Sequence, residues 1–327
     1  MKAFLYHRAG SAAEALEALA PRPDGKFLAG GTNLLDLMKD EIVNASDLVD
    51  LTRAGMAEIR GIENGISIGA LATNTDTANH PLVRKGYPLL SYAILAAASV
   101  QIRNMATNGG NLLQRTRCPY FYDTAAPCNK RSPGTGCGAL EGLNRNHAIF
   151  GASEHCVAVH PSDMAVALAA LDANVRVKGP GNRERTIDLV DFHRLPGDRP
   201  EQDTNLDKDE LIVAIELPAP RFNRHFHYLK VRDRASYAFA LVSVAAALDI
   251  KDGMIRDARI AMGGVAHKPW RATAAESHLI GLKPDPAHFA AAADAEMARA
   301  VPLAHNGYKI ELGRRAIVRA LKQAADR

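Results

Sequence analysis

The chain has 327 residues, of which 47% are hydrophobic and 23% charged, with a formal net charge of +4 and a mean hydropathy of −0.14. That is an ordinary globular composition with enough length for one large or two medium domains. It does not suggest nucleic-acid binding, which needs a clustered basic face, and no stretch reaches the ~18 apolar residues of a membrane helix. The basic run Arg221, Arg224, Lys230, Arg232 and Arg234 reads as a solvated strand or loop. The opening MKAFLYHRAG is too short in apolar residues for a secretory signal, although a folded subunit can be exported attached to a partner that has one.

In chain order, SAAEALEALA reads as a helix with Ser11 at its N-cap and Glu14 three residues on, ended by Pro21 and Pro23. GKFLAGGTNLLDLMKDEI is a strand, a glycine turn and a helix. ASDLVDLTRAG and GISIGALATNTD are short strands with turns. A helix from Tyr87 to Ala98 precedes the glycine-asparagine segment ATNGGNLLQ and a cysteine-bearing loop. HPSDMAVALAALDANVRVKG is a helix, capped by Ser162 or Asp163, and then a strand. Leu195–Asp209 reads as a polar surface loop, and ELIVAIELP as the strand that closes this region. From about Arg221 the pattern changes to two strand-like runs, a turn and alanine-rich helices, which suggests a separate α+β domain.

All four cysteines, Cys118, Cys128, Cys137 and Cys156, fall in one segment rich in Pro, Gly, Asn and Arg. Their gaps lack the close pairs of a structural zinc site and are wider than the common ferredoxin runs. Three readings stay open: plain thiols, disulfides, or a four-thiolate cluster. The last explains best why all the sulfur sits in a loop that cannot build an apolar core. His147, His155 and His160 lie nearby and read as surface or N-cap-adjacent residues. Gly30-Gly31 and Gly109-Gly110 each stand before a Leu-Leu pair. Such loops aim backbone N–H groups at a phosphate, yet neither matches the dinucleotide fingerprint or the P-loop. No Ser/His/Asp order, paired carboxylates or HExxH points to hydrolysis.

AGGTNLLDLM, ATNGGNLLQ, HPSDMAVAL, YLKVRDRASYAFALVSVAAAL and GGVAHKP resemble the FAD-binding medium subunit of the xanthine dehydrogenase and molybdenum aldehyde oxidoreductase family, over essentially the whole chain. The RTRCPYFYD, PCNKR, GC and EHC arrangement is similar to the bacterial periplasmic aldehyde oxidoreductase branch, whose flavin subunit carries a [4Fe–4S] cluster. The medium subunit of 4-hydroxybenzoyl-CoA reductase also has such a cluster in an inserted loop. The resemblance implies an α+β fold. Residues 1–220 form a PCMH/VAO-type FAD-binding domain of two α+β subdomains, with the cluster loop at about 115–157. Residues 221–327 form a C-terminal domain with a three-stranded antiparallel sheet and helices.

The resemblance also implies the site. Lys26, Phe27, Leu28, Ala29, Gly30, Gly31, Thr32, Asn33 and Leu34 wrap the FAD pyrophosphate, and Thr107, Gly110 and Asn111 supply a second phosphate and ribityl contact. Asp163 accepts a flavin-side hydroxyl, Ile212 lines the ring or adenine pocket, and Lys230 approaches the flavin. The four cysteines hold the cluster, and no catalytic residue lies on this chain. Asn108 departs from relatives that have a small aliphatic residue there.

The implied assembly is a heterotrimer with a large molybdenum-cofactor subunit and a small subunit bearing [2Fe–2S] clusters. Aldehyde is oxidised on the large subunit, and electrons pass through this chain to an external acceptor: a quinone, soluble carrier or oxygen rather than NAD. The complex is expected in the periplasm by co-export, or alternatively in the cytoplasm. The rival readings are a 4-hydroxybenzoyl-CoA-reductase-like subunit and a non-enzymatic zinc scaffold.

Overall fold

The computed structural model describes residues 1–327 apart from the side chain of Asn182. Strand β1 (Leu5–Arg8) leads into the helix Ala12–Leu19, whose first turn closes on side chains. Ser11 Oγ accepts the Glu14 N–H at 3.1 Å, and the Glu14 carboxylate accepts the Gly10 N–H at 2.8 Å. This is a capping box that reaches one residue further back than usual. β2 (Lys26–Leu28) and β3 (Asp47–Asp50) complete a parallel sheet in the order β1-β3-β2. Parallel neighbours need crossovers, and the helices Ala12–Leu19 and Leu34–Lys39 provide them. β2 therefore ends by delivering Ala29–Asn33 to the carboxyl edge of the sheet, where open α/β sheets place ligands.

The second sheet is antiparallel and runs β4-β5-β8-β6-β7, from β4 (Ile59–Ile62), β5 (Gly65–Gly69), β6 (Asn174–Lys178), β7 (Glu184–Asp188) and β8 (Leu211–Pro218). The long excursion between β5 and β6 holds both the second glycine segment and the cysteine loop. It returns through the helix Asp163–Ala170, every residue of which is buried. A helix that is apolar almost all round belongs inside a core, and this one packs against the helix Pro88–Ala96 and the third sheet.

The third sheet has four strands rather than three: β9 (His225–Val231), β10 (Val242–Lys251), β11 (Met254–Gly263) and β12 (Trp270–Arg271), in the order β12-β11-β10-β9. The added edge strand is two residues long, too short to leave a period-2 pattern in the sequence. β10 sends alternate residues to two cores. Val242, Val244, Ala246 and Leu248 face the C-terminal helices, whereas Ala245 and Ala247 join the core around Asp163–Ala170. The alanines explain the uniformly small apolar run VSVAAAL, since both faces are covered at close range. Among the described residues no helix is long and apolar enough to cross a membrane.

Candidate functional site

Where the three sheets meet there is a cavity of about 810 Å³, the size of a cofactor site. Its wall takes Thr32 and Asn33 from the first glycine loop, Gly110 and Asn111 from the second, and Asp163 and Lys230 from the later segments. Cys118 and His147 border it on the side of the cysteine loop, and Tyr237 and Phe239 come from the β9–β10 connection. Residues predicted from separate stretches of sequence thus share one wall.

Glycine is required in the first loop for two different reasons. A Cβ on Gly30 would lie 1.8 Å from the Met105 carbonyl oxygen, so this loop is pressed against the backbone that precedes the second glycine segment. Gly31 has φ 71°, a left-handed conformation that costs other residues energy. Asn33 Oδ1 accepts the Arg115 N–H at 2.9 Å, leaving the buried Asn33 Nδ2 without a partner at the cavity. Lys26–Leu28 form β2 and carry the loop, and the cavity wall begins at Thr32.

The second glycine segment is the short helix Asn108–Leu112, capped by Thr107, whose Oγ1 accepts the Gly110 N–H at 3.4 Å. Asn108 is fully buried and fully used: it donates to Thr77 Oγ1 at 2.8 Å and the Gly69 carbonyl at 3.3 Å, and accepts from Asn74 at 3.1 Å. The asparagine that departs from the aliphatic pattern therefore bonds the segment to the end of β5. Asn111 continues this network, donating to Asn74 at 2.8 Å and accepting the Ser162 hydroxyl at 2.5 Å. Ser162, rather than Asp163, caps the buried helix.

That frees Asp163 for the cavity. Its carboxylate accepts from Tyr228 Oη at 2.6 Å and from Lys230 Nζ at 2.8 Å, with the Asp163 and Lys230 side chains 5% and 4% exposed. Lys230 therefore belongs to a buried pair and not to a solvated basic strand. Tyr228 was missed from the sequence, although its position two residues before Lys230 puts both on one face of β9. Removing one member of a buried pair strands the other charge at a cost of about 3–5 kcal/mol. Lys230→Met is accordingly expected to lower the urea unfolding free energy by that amount, and an unchanged midpoint would contradict the pairing. Ile212, expected to line the flavin pocket, is instead 3% exposed in the core behind Gly109, where a Cβ added to that glycine would sit 3.7 Å from it.

Two of the histidines expected at the surface are buried: His147 is 3% and His160 9% exposed. Both border the cavity, and His147 Nδ1 and His160 Nε2 are buried without partners. Behind them, burial pushes His193 and His267 down to about 4. In the unfolded chain these rings bind protons near pH 6.5, so they contribute stability above that pH, which is lost as pH falls from 6.5 towards 4. Each such group costs about 1.4 kcal/mol per pH unit in that window. Urea unfolding at pH 5 should therefore give a free energy at least about 2 kcal/mol below that at pH 7; equal values would show that the rings protonate in place.

None of the four cysteines is in a disulfide; Cys128 and Cys156 are buried, and Cys118 and Cys137 are partly so. Cys128 and Cys137 face each other across an isolated antiparallel bridge, and Cys156 closes a turn with Ser153. Burial pushes the Cys118 thiol up to about 12 and Cys156 up to about 11, with Cys128 repelling both and Cys156 repelling Cys118. Cys137 acts on Cys156 in the same way, so each cysteine lies within electrostatic reach of at least one other. Cys118 Sγ is also 3.1 Å from His147 Nε2. Among the described residues no three His, Cys, Asp or Glu side chains are arranged to hold a single metal ion. The segment is held by arginine more than by apolar packing. The Arg131 guanidinium donates to the Tyr120 and Phe121 carbonyls at 2.9 and 2.8 Å and to Ala126 O.

The family described as the FAD binding domain in molybdopterin dehydrogenase matches residues 2–220, and that of the CO dehydrogenase flavoprotein C-terminal domain matches residues 226–324. The aldehyde oxidoreductase FAD-binding subunit PaoB of Escherichia coli is 52% identical over 99% of both chains. The carbon monoxide dehydrogenase medium chain of Hydrogenophaga pseudoflava is 27% identical over 98% of this chain and 96% of its own. Among solved structures, quinoline 2-oxidoreductase from Pseudomonas putida 86 superimposes with a TM-score of 0.77 at 27% identity, covering 100% of this chain and 99% of that one.

Proposed function

The chain belongs to the FAD-binding medium subunits of the molybdenum hydroxylase family, and from that premise we propose that it is the flavin- and [4Fe–4S]-bearing electron-transfer subunit of an aldehyde oxidoreductase. The observation that carries this reading is the single cavity bordered by both glycine loops, the Asp163–Lys230 pair and Cys118. Its wall fits FAD. Asn33, Asn111, Ser162 and Lys230 set polar side chains along it, as a ligand with phosphate and hydroxyl groups requires. Gly30 and Gly31 keep side chains out of the first loop, where the pyrophosphate would lie, while Thr107, Gly110 and Asn111 would hold the second contact. Lys230 would present positive charge to the flavin, and Asp163, fixed by Tyr228 and Lys230, would accept a hydroxyl from it.

The cysteine loop fits a four-thiolate cluster by its donor set. Four cysteines share one segment, Cys128 pairs with Cys137 across a backbone bridge, and the Ala158 N–H lies 3.5 Å from Cys156 Sγ as a hydrogen-bond donor to sulfur. When bound, FAD links one-electron to two-electron transfer, and the cluster adds a one-electron centre. This chain's own residues bind and orient both groups, and the substrate is handled elsewhere in the complex. In family terms the partners are a large molybdenum subunit and a small iron–sulfur subunit. The 52% identity to an aldehyde oxidoreductase subunit supports an aldehyde as the source of electrons, and we propose a quinone, a soluble carrier or oxygen as the acceptor.

The test uses the intact complex, co-expressed with both partners and kept anaerobic. Adding an aldehyde should bleach the flavin absorption, and 4-hydroxybenzoyl-CoA with a low-potential donor should not be reduced. Turnover of the CoA thioester without response to aldehydes would favour the rival subunit assignment.

A further inference from the structure

Of the four cysteines, one pair is set opposite each other by the backbone alone. Hydrogen bonds flank the Cys128–Cys137 bridge on both sides, from the Asn129 N–H to the Gly136 carbonyl at 2.7 Å and from the Gly138 N–H to the Pro127 carbonyl at 2.9 Å. Neither bond joins the two cysteines, which makes them a non-hydrogen-bonded antiparallel pair. In such a pair the Cα atoms stand about 4.5 Å apart and the side chains are at their closest. Disulfides bridge Cα separations of about 4.4–6.8 Å, so this pair falls within their reach. The hairpin is fixed from within, because the Cys128 N–H donates to Thr135 Oγ1 at 3.1 Å and the Gly136 N–H to Asn129 Oδ1 at 2.8 Å. It is also fixed from outside. Asn129 Nδ2 donates to the His155 carbonyl at 3.1 Å, and the buried Lys130 donates to the Pro200 carbonyl at 2.8 Å and to the Asp203 carboxylate. The other two cysteines are placed differently: Cys118 Sγ is 3.1 Å from His147 Nε2, and Cys156 faces Ser153.

We propose that Cys128 and Cys137 are a redox-active pair, which closes into a disulfide by exchange with a small oxidised thiol before a cluster is inserted and so withholds two of its four ligands. The withholding rests on the cluster reading above, whereas the pairing rests on the hairpin alone. Cys137 is partly exposed and Cys128 only 8% exposed, so the incoming disulfide meets Cys137 first. The Cys137 thiolate attacks one sulfur of the small disulfide and expels the other as a thiolate. The Cys128 thiolate then attacks the Cys137 sulfur of this mixed disulfide and expels the second small thiolate. One S–S bond forms in the protein and two S–H bonds are lost. The two electrons and two protons leave in two small thiols. A dithiol reverses the exchange and returns both ligands.

The experiment takes the full chain, freed of iron under a dithiol and desalted, and exposes it anaerobically to glutathione disulfide. Remaining thiols are alkylated and each cysteine is read by peptide mass spectrometry. Lys130 and Arg131 stand between the two cysteines, so trypsin leaves two peptides joined only by the disulfide. Alkylation of Cys128 and Cys137 should fall about tenfold against the reduced chain, with the joined peptides appearing, while Cys118 and Cys156 stay alkylated. Cys118→Ser and Cys156→Ser should keep the cross-link, and Cys128→Ser should stop at glutathione on Cys137. Supplied with ferrous iron and sulfide, the oxidised chain should bind about tenfold less iron than the reduced one, and dithiothreitol should restore uptake. A dominant cross-link between any other two cysteines, or full alkylation of all four, overturns the pairing. Equal iron in the oxidised and reduced chains overturns the withholding. A reduced chain that binds no iron counts against the cluster reading and removes the withholding with it, and the joined peptides then decide the pairing by themselves.

Discussion

Replacing any one of Cys118, Cys128, Cys137 or Cys156 by Ser is expected to reduce the iron bound to this chain from about four atoms to near none. The effect is large because the segment has little else to fold around. Its apolar packing is a small group, with Leu37, Phe121 and Cys128 buried, and Arg131 satisfies much of its backbone. A serine hydroxyl cannot replace a thiolate as a soft ligand, and a cluster lacking one ligand exposes an iron to solvent. Metal-binding free energy in such loops is also folding free energy, so the variants should show faster proteolysis between residues 115 and 157. Cys156→Ser is the sharpest case, because Cys156 stands 19 residues beyond Cys137 and its loss tests whether the cage spans the whole segment. Full iron retention in more than one of the four variants would remove the four-thiolate assignment. Flavin content should be read in the same samples, because the first glycine loop meets this segment through Asn33, which accepts the Arg115 N–H, and through Leu37.

Gly30→Val is expected to abolish FAD retention while leaving the iron. A Cβ there would overlap the Met105 carbonyl at 1.8 Å, and both the oxygen and the carbonyl carbon, at 2.7 Å, belong to backbone that cannot rotate away. The first loop would have to lift off Met105–Ala106, which immediately precede Thr107 and the second glycine segment, so one substitution disturbs both faces of the binding crevice. Gly31→Val acts by another route, since a β-branched residue at φ 71° is strained and its Cβ meets Leu35 at 2.9 Å. Backbone strain of this kind costs of order 1–3 kcal/mol, whereas the Gly30 overlap cannot be relieved without moving the loop. Flavin loss should therefore be complete in Gly30→Val and partial or complete in Gly31→Val, read from released flavin fluorescence after gel filtration. Stoichiometric flavin in the Gly30 variant would show that the pyrophosphate lies elsewhere.

Much of the architecture was legible because local chemistry and tertiary role agree. Ser11 and Ser162 cap the helices their spacing announces, and the strand-glycine-helix reading of GKFLAGGTNLL appears as β2, a positive-φ glycine and a helix. The misread parts are those where burial is decided by distant chain. Nothing local marks Lys230 as buried, because its partner Asp163 lies 67 residues away. His147 and His160 look like surface histidines until the cavity encloses them, and Asp203 sits in a proline-bearing polar loop that folds back over Lys130. Ile212 lies on the strand that ELIVAIELP announces, with its side chain in the core beneath Gly109. The edge strand β12 is two residues long and carries no pattern to read.

The most direct test of the account is an absorption spectrum of the anaerobically purified complex and of this chain alone, with flavin, iron and acid-labile sulfide assayed on the same samples. One FAD and about four irons with matching sulfide on this chain, under a flavin spectrum with a broad iron–sulfur shoulder, is the expected result. Flavin without iron, or zinc in place of iron, would contradict the claim that the cysteine loop is a cluster cage beside the flavin.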